Sequence, residues 1–190
     1  MGALRPSFLG AFCAHFFVLE NDMRKKTRFL THCAMIAALY VVLTHLQNLI
    51  FPNSASMAIQ FRASEALCVL AFFTPAAIPG LTLGTLLFNI TYAQALPLDF
   101  LLGSLATLLA AYSMRCCRTL TLRDYPLVGL VMPALFNGLI VGWELSIYIC
   151  GAFFYNAITV AIGELAVLLT LGSALYYALR IRGLDKKLFG

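Results

Sequence analysis

Apolar residues run through this chain in long unbroken stretches and do not alternate with polar ones. Stretches of roughly 20 apolar residues match the length an α-helix needs to cross a bilayer's hydrocarbon core. Continuous apolar character also argues against a β-barrel, whose strands alternate. The pattern predicts six helices, at about Phe29–Phe51, Phe61–Phe73, Ala76–Tyr92, Leu98–Met114, Pro126–Ile149 and Ala152–Leu179. The second is short for a crossing and stops at Thr74-Pro75, since the residue before a proline is pushed out of helical geometry. A short, proline-bounded helix is tolerated where it lines a cavity inside a bundle.

Composition agrees with this reading. The chain is 62% hydrophobic and 11% charged, and 190 residues suit one helical bundle with no second soluble domain. The net charge of +5 does not call for a nucleic-acid partner, because its placement follows the loops. Arg24, Lys25, Lys26 and Arg28 precede the first span, while Arg115, Arg118 and Arg123 lie between the fourth and fifth. Arg180, Arg182, Lys186 and Lys187 follow the sixth. With six spans all three clusters share one side, the cytoplasm by the positive-inside rule. Apart from Arg5 in the N-terminal segment, Arg62 alone falls outside. The expected fold is therefore an all-α membrane protein, a six-transmembrane-helix bundle with both termini cytoplasmic.

Residues 1–22 stand apart as an N-terminal extension to a single domain over 23–190. Phe8–Leu19 is too short to span and has no convincing cleavage site after it. Met23 followed by Arg-Lys-Lys reads as a natural start, so the extension is expected to be a translation artefact or a peripheral segment.

Five ionisable residues then stand out against the apolar spans: Arg62, Glu65, Asp99, Glu144 and Glu164. Such groups cost several kcal/mol at membrane depth, so they face a protein interior and mark candidate sites. With 1.5 Å of rise per residue, Arg62, Glu65, Asn89, Asp99, Glu144 and Asn156 fall in an outer layer. Asn137 and Glu164 fall deeper, near mid-membrane. Arg62 and Glu65 share a helix face, as do Asn137 and Glu144 seven residues apart. The result is a polar cup open to the outside above an apolar cytoplasmic plug.

Four acids against one arginine favour a cation or a ligand rich in N–H donors. The donor edge of a guanine-like base fits, with Trp143, Tyr92 or Phe136 available to stack on it. Structural roles compete at several positions. Arg62 with Glu65 also reads as an internal ion pair, Asp99 after Pro97 as a helix cap, and Asn137 and Asn156 as interhelical bonding. Glu144 and Glu164 resist such readings, because a buried carboxylate is costly without a task. Tyr148, Tyr155, Tyr176 and Tyr177 read as an interfacial belt, and His32 and His45 as structural. Asn89-Ile-Thr91 matches a glycosylation sequon, a weak signal at a membrane edge.

Ala34 and Ala38 form a small-xxx-small face on the first helix that could slide against another membrane protein. Gly80/Gly84, Gly103/Ala106/Ala110 and Gly138/Gly142 repeat the pattern inside the bundle. Cys13, Cys33, Cys68, Cys116, Cys117 and Cys150 have no CxxC or His/Cys spacing, so free thiols are expected, with no disulfide and no metal. No nucleotide-binding or hydrolase motif is present, and no cofactor is called for. Uphill transport by this chain would need a partner to supply the energy.

Four segments carry a specific resemblance: Ile59–Leu67, Asp99–Ala111, Pro133–Leu145 and Asn156–Leu165. Over about residues 23–185 the chain resembles the QueT family, substrate-binding S-components of energy-coupling factor (ECF) ABC transporters. The resemblance implies a six-helix bundle with an extracellular pocket for a queuosine precursor, a 7-deazaguanine such as the aminomethyl or cyano base. It implies a prokaryotic plasma membrane, a transmembrane coupling subunit, two cytoplasmic ATPases and a toppling S-component. Ala34 and Ala38 would face the coupling subunit. Arg62, Glu65, Asp99, Asn137, Glu144, Asn156 and Glu164 all lie in the resembling segments, and the acid surplus suits the cationic aminomethyl base. Rival readings are an S-component for another vitamin-like heterocycle, a proton-coupled carrier using Glu144 or Glu164, and a non-transporting scaffold.

Overall fold

The structure is a computed structural model that describes residues 8–52, 61–92, 96–122, 125–148, 152–181, 183 and 188, with side chains from Arg24 onward. The side chains of Cys13, Cys150, Arg5, Arg123, Arg182, Lys186 and Lys187, and the start of the Ile59–Leu67 segment, lie outside the described residues. Those described are helical apart from turns and one isolated bridge, Leu122 to Tyr125.

Helix α1 (Phe8–Ile50) is continuous from the extension into the first predicted span. A 3-10 segment (Ala63–Val69) leads into the single turn α2 (Leu70–Phe73). There follow α3 (Ala77–Thr91), α4 (Asp99–Cys116), α5 (Leu127–Tyr148) and α6 (Phe153–Val167). A π turn (Leu168–Gly172) joins α6 to α7 (Ser173–Ile181). Among the described residues four stretches are long and apolar enough to cross a membrane: Arg24–Ile50, Asp99–Thr119, Leu127–Tyr148 and Phe153–Ile181. Ala63–Phe73 and Ala77–Thr91 are shorter apolar helices at the second and third predicted positions.

Neighbouring helices pack in order, α1 on α3, α3 on α4, α4 on α5 and α5 on α6. Small residues set the closest approaches. A Cβ at Gly84 would come within 2.8 Å of Tyr40 Cβ, and one at Gly142 within 2.6 Å of the Ala157 backbone. These close contacts let helix backbones meet without a hydrophobic driving force between them.

The 3-10 segment touches α1, α3, α4, α6, α7 and the π turn. Its residues Ser64 to Val69 are all buried, so it runs through the interior of the bundle. That position explains its weak sequence signal: a helix covered on every side shows no amphipathic period. Thr74, extended before Pro75, ends α2 as expected, and Arg115 of α4 donates to the last carbonyls, Ala71 and Phe72. The π turn widens the sixth span where it meets this segment, and Gly172 sits against Val69.

Leu83, Leu87, Leu101, Leu105, Leu135 and Leu139 point outward. In water such a surface invites aggregation, whereas lipid tails match it. Tyr148, Tyr155 and Tyr177 are exposed as expected of an interfacial belt. Tyr176 is not: it is 6% exposed and packs against Phe72 and Phe73. Helical periodicity turns it inward, which a residue-type argument overlooks. Cys33, Cys68, Cys116 and Cys117 are free thiols.

Candidate functional site

The polar residues singled out from the sequence converge within the bundle. Arg62, Glu65, Asn89, Asp99, Asn137, Glu144, Asn156 and Glu164 are all buried. They come from the 3-10 segment and from α3, α4, α5 and α6, so no single helix builds the cluster.

Local structure sets each group. Gln47 of α1 clamps the extended stretch before the 3-10 segment, donating to the Phe61 carbonyl and accepting from the Ala63 N–H at 2.6 Å. Arg62, held at that entrance, reaches Asp99 at 3.9 Å, and its guanidinium lies 5.9 Å from the Phe88 ring centroid. Asn89 donates to the Asp99 carbonyl at 2.7 Å. Gly103 makes this approach possible, since a Cβ there would sit 2.8 Å from Asn89 Nδ2 and 3.1 Å from Asp99 Oδ1.

The ion pair of Arg62 with Asp99 ties the 3-10 segment to α4, a link across the bundle that the reading of Arg62 with Glu65 did not foresee. Glu65 is bonded differently. Tyr40 Oη donates to its Oε1 at 2.5 Å and Cys68 Sγ donates to its Oε2 at 3.1 Å. Asp99 does not act as the N-cap, because Leu98 holds that position and Asp99 is the first residue of α4. It still benefits from the positive helix end.

Deeper in the cluster, Asn137 of α5 donates to Glu164 Oε1 at 2.9 Å, so the interhelical bond foreseen for Asn137 runs to a second site residue. Glu164 also interacts electrostatically with Glu65 and Arg62, and Glu144 with Asp99 and Arg62. All four acids therefore lie within electrostatic reach of one arginine.

Two expectations shift. Trp143 is 51% exposed while its neighbour Glu144 is fully buried, so the indole is not among the buried groups of the cluster. Phe88 is a buried ring at the cluster, and it stacks on Tyr92 with centroids 5.2 Å apart. The sequon does not present a free amide, because Asn89 is buried and bonded to Asp99.

Sequence reasoning passed over Tyr40, Thr44, Ser64, Thr85 and Thr107. Thr44 Oγ1 lies 2.7 Å from both the Tyr40 carbonyl and Ser64 Oγ, and Thr85 and Thr107 hydroxyls meet at 3.1 Å. The available signal was spacing: Tyr40 and Thr44, and Thr85 and Asn89, are each four apart on one helix face.

Six buried atoms of the cluster find no hydrogen-bond partner among the described residues: Asn89 Oδ1, Asp99 Oδ1, Glu144 Oε1 and Oε2, Glu164 Oε2 and Asn156 Nδ2. Buried polar atoms in folded proteins are nearly always paired, so a group of orphans on one cluster makes it the candidate site. Five accept and one donates. No grouping of His, Cys, Asp and Glu suited to a metal occurs among the described residues. Ala34 and Ala38, away from this cluster, lie exposed on α1.

No curated protein and no solved structure gives a significant match to the chain. A family model described as QueT transporter matches residues 30–181. That range takes in every residue of the cluster and most of the chain, so the protein belongs to the QueT transporter family and is a membrane transporter protein, not an enzyme.

Proposed function

We propose that the protein is the substrate-binding S-component of an energy-coupling factor importer, and that it captures a queuosine precursor from outside the cell. The observation that carries this reading is the set of orphaned atoms, five acceptors and one donor. A 7-deazaguanine matches it, offering N–H donors from its ring and exocyclic amine and a carbonyl oxygen as acceptor. The flat base also suits a site with Phe88 and Tyr92 beside it. Arg62, Glu65, Asn89, Asp99, Asn137, Glu144, Asn156 and Glu164 form the pocket. Glu65 and Arg62 act mainly by holding its shape.

In this reading a single domain from residue 23 onward crosses a prokaryotic plasma membrane six times, with both termini cytoplasmic. The short Ala63–Phe73 and Ala77–Thr91 helices make the second and third crossings. Support comes from charge: Arg115 and Arg118 lie at or just past the end of α4 opposite Asp99, Arg180 lies in the last turn of α7, and Arg24, Lys25, Lys26 and Arg28 open the apolar stretch Arg24–Ile50 within α1. Energy comes from two cytoplasmic ATPases through a transmembrane coupling subunit. The exposed Ala34–Ala38 face suits that subunit, and beside it lies an apolar groove of about 450 Å³ lined by Met35, Leu39, Leu175 and Leu179.

Calorimetric titration of the purified protein with the aminomethyl and cyano bases, guanine and riboflavin tests the substrate. Binding of a deazapurine in preference to guanine and riboflavin is expected, and no affinity for either deazapurine overturns the reading. Uptake into vesicles that continues without ATPase subunits would assign the protein to the carriers instead.

A further inference from the structure

The acids of the cluster are unequally provided for. Asp99 has Arg62 at 3.9 Å. Glu65 has donors on both oxygens, and Glu164 has Asn137 on one. Glu144 is 0% exposed and neither of its oxygens has a hydrogen-bond partner among the described residues. A carboxylate removed from water needs a cation or strong donors in exchange. The nearby arginine lies 3.9 Å from Asp99, so Glu144 shares its charge with a second acid at closer range.

The backbone around Glu144 has the same polarity. Glu144 lies in the last turns of α5 (Leu127–Tyr148), where free carbonyls favour a positive group. Asn156 lies at the start of α6 (Phe153–Val167), the electropositive end, and its unpartnered atom is the donor Nδ2. The two helices touch backbone to backbone where Gly142 meets Ala157, two residues before Glu144 and one after Asn156. A carboxyl group near the end of α5 and an amide donor near the start of α6 therefore lie close to where these two helices meet.

Resting on the S-component reading, we propose that Glu144 is the specificity-determining residue of the pocket, seating a primary ammonium group of the ligand while Asn156 takes an acceptor atom on the same edge. The aminomethyl 7-deazaguanine carries its ammonium next to its carbonyl oxygen, which matches the pair. The ammonium offers three donors to the two bare oxygens, a charge-assisted contact. The cyano base turns a nitrile nitrogen toward Glu144, acceptor against acceptor. The ring's remaining N–H donors are left for Glu164 and the outer acceptors.

Equilibrium titration of the full chain with the aminomethyl base and with the cyano base, for wild type and Glu144→Gln, tests this. Wild type is expected to bind the aminomethyl base at least tenfold more tightly. Glu144→Gln, whose amide can donate to a nitrile, is expected to weaken the aminomethyl base at least tenfold and to tighten binding of the cyano base. Equal affinity of wild type for the two bases overturns the assignment while leaving the functional reading intact. So does an equal loss for both bases in Glu144→Gln with a wild-type melting temperature. Failure of wild type to bind either base overturns both. The wild-type comparison needs no variant, so it decides the question even if Glu144→Gln folds poorly.

Discussion

Tyr40 on α1 and Glu65 in the 3-10 segment are joined by a 2.5 Å hydrogen bond inside the bundle, where both residues are almost fully buried. With Cys68 on the other oxygen, the carboxylate is satisfied by neutral donors. This bond ties the helix that carries Ala34 and Ala38 to the segment that carries Arg62. Tyr40→Phe is expected to cost about 1–3 kcal/mol, because it leaves a buried charged acceptor one donor short. Thermal unfolding in detergent checks this, and a melting temperature equal to wild type would show the bond to be dispensable.

Asn137 holds Glu164 at 2.9 Å and thereby aims its bare Oε2. Asn137→Ala is expected to lower ligand affinity roughly tenfold to a hundredfold, the equivalent of losing a hydrogen bond to a charged group. Asn137→Asp is expected to be worse, since it sets a second carboxylate against the first. Titration of both variants with the best-binding base measures the effect, and full affinity in both would remove Asn137 from the site.

Gly142 is a close contact between α5 and α6. A Cβ there would lie 2.6 Å from Ala157 Cα and 2.8 Å from its backbone nitrogen, so neither atom can turn aside as a side chain would. Gly142→Ala is expected to force the helices apart at a cost of about 1–3 kcal/mol, and to separate Glu144 from Asn156. Melting temperature and ligand affinity should fall together. A variant as stable and as tightly binding as wild type would mean that the helices part without disturbing the site.

Ala34 and Ala38 are exposed on α1. Ala34→Leu with Ala38→Leu is expected to leave ligand binding by the isolated protein within about twofold, since nothing buried changes. ATP-driven uptake after reconstitution with the coupling subunit and ATPases should be lost. Normal uptake by the double variant would place the partner surface elsewhere.

Much of the site was legible in the chain because a membrane makes buried charge conspicuous: Arg62, Glu65, Asp99, Glu144 and Glu164 stand out against apolar neighbours without any structure. Tyr40 and Thr44 were not legible, because a tyrosine and a threonine are cheap enough in an apolar helix to pass for packing or belt residues. Trp143 misled for the opposite reason. An aromatic next to a buried acid suggests stacking, yet consecutive helical residues point about 100° apart, and the indole emerges on the exposed side.

By itself the sequence determined the class of protein, the approximate places of its apolar helices, and a list of candidate polar residues. Each of these follows from short-range rules: helix rise against bilayer thickness, the restriction before proline, and the cost of charge in hydrocarbon. Only the tertiary structure decided which group answers which. It joined Arg62 to Asp99, gave Glu65 to Tyr40 and Cys68, and left both Glu144 oxygens without a hydrogen bond among the described residues. Those pairings depend on how the helices stand beside one another and on the path of the 3-10 segment between them. Side-by-side placement is set by close contacts such as Gly84 with Tyr40 and Gly142 with Ala157, whose partners lie far away along the chain.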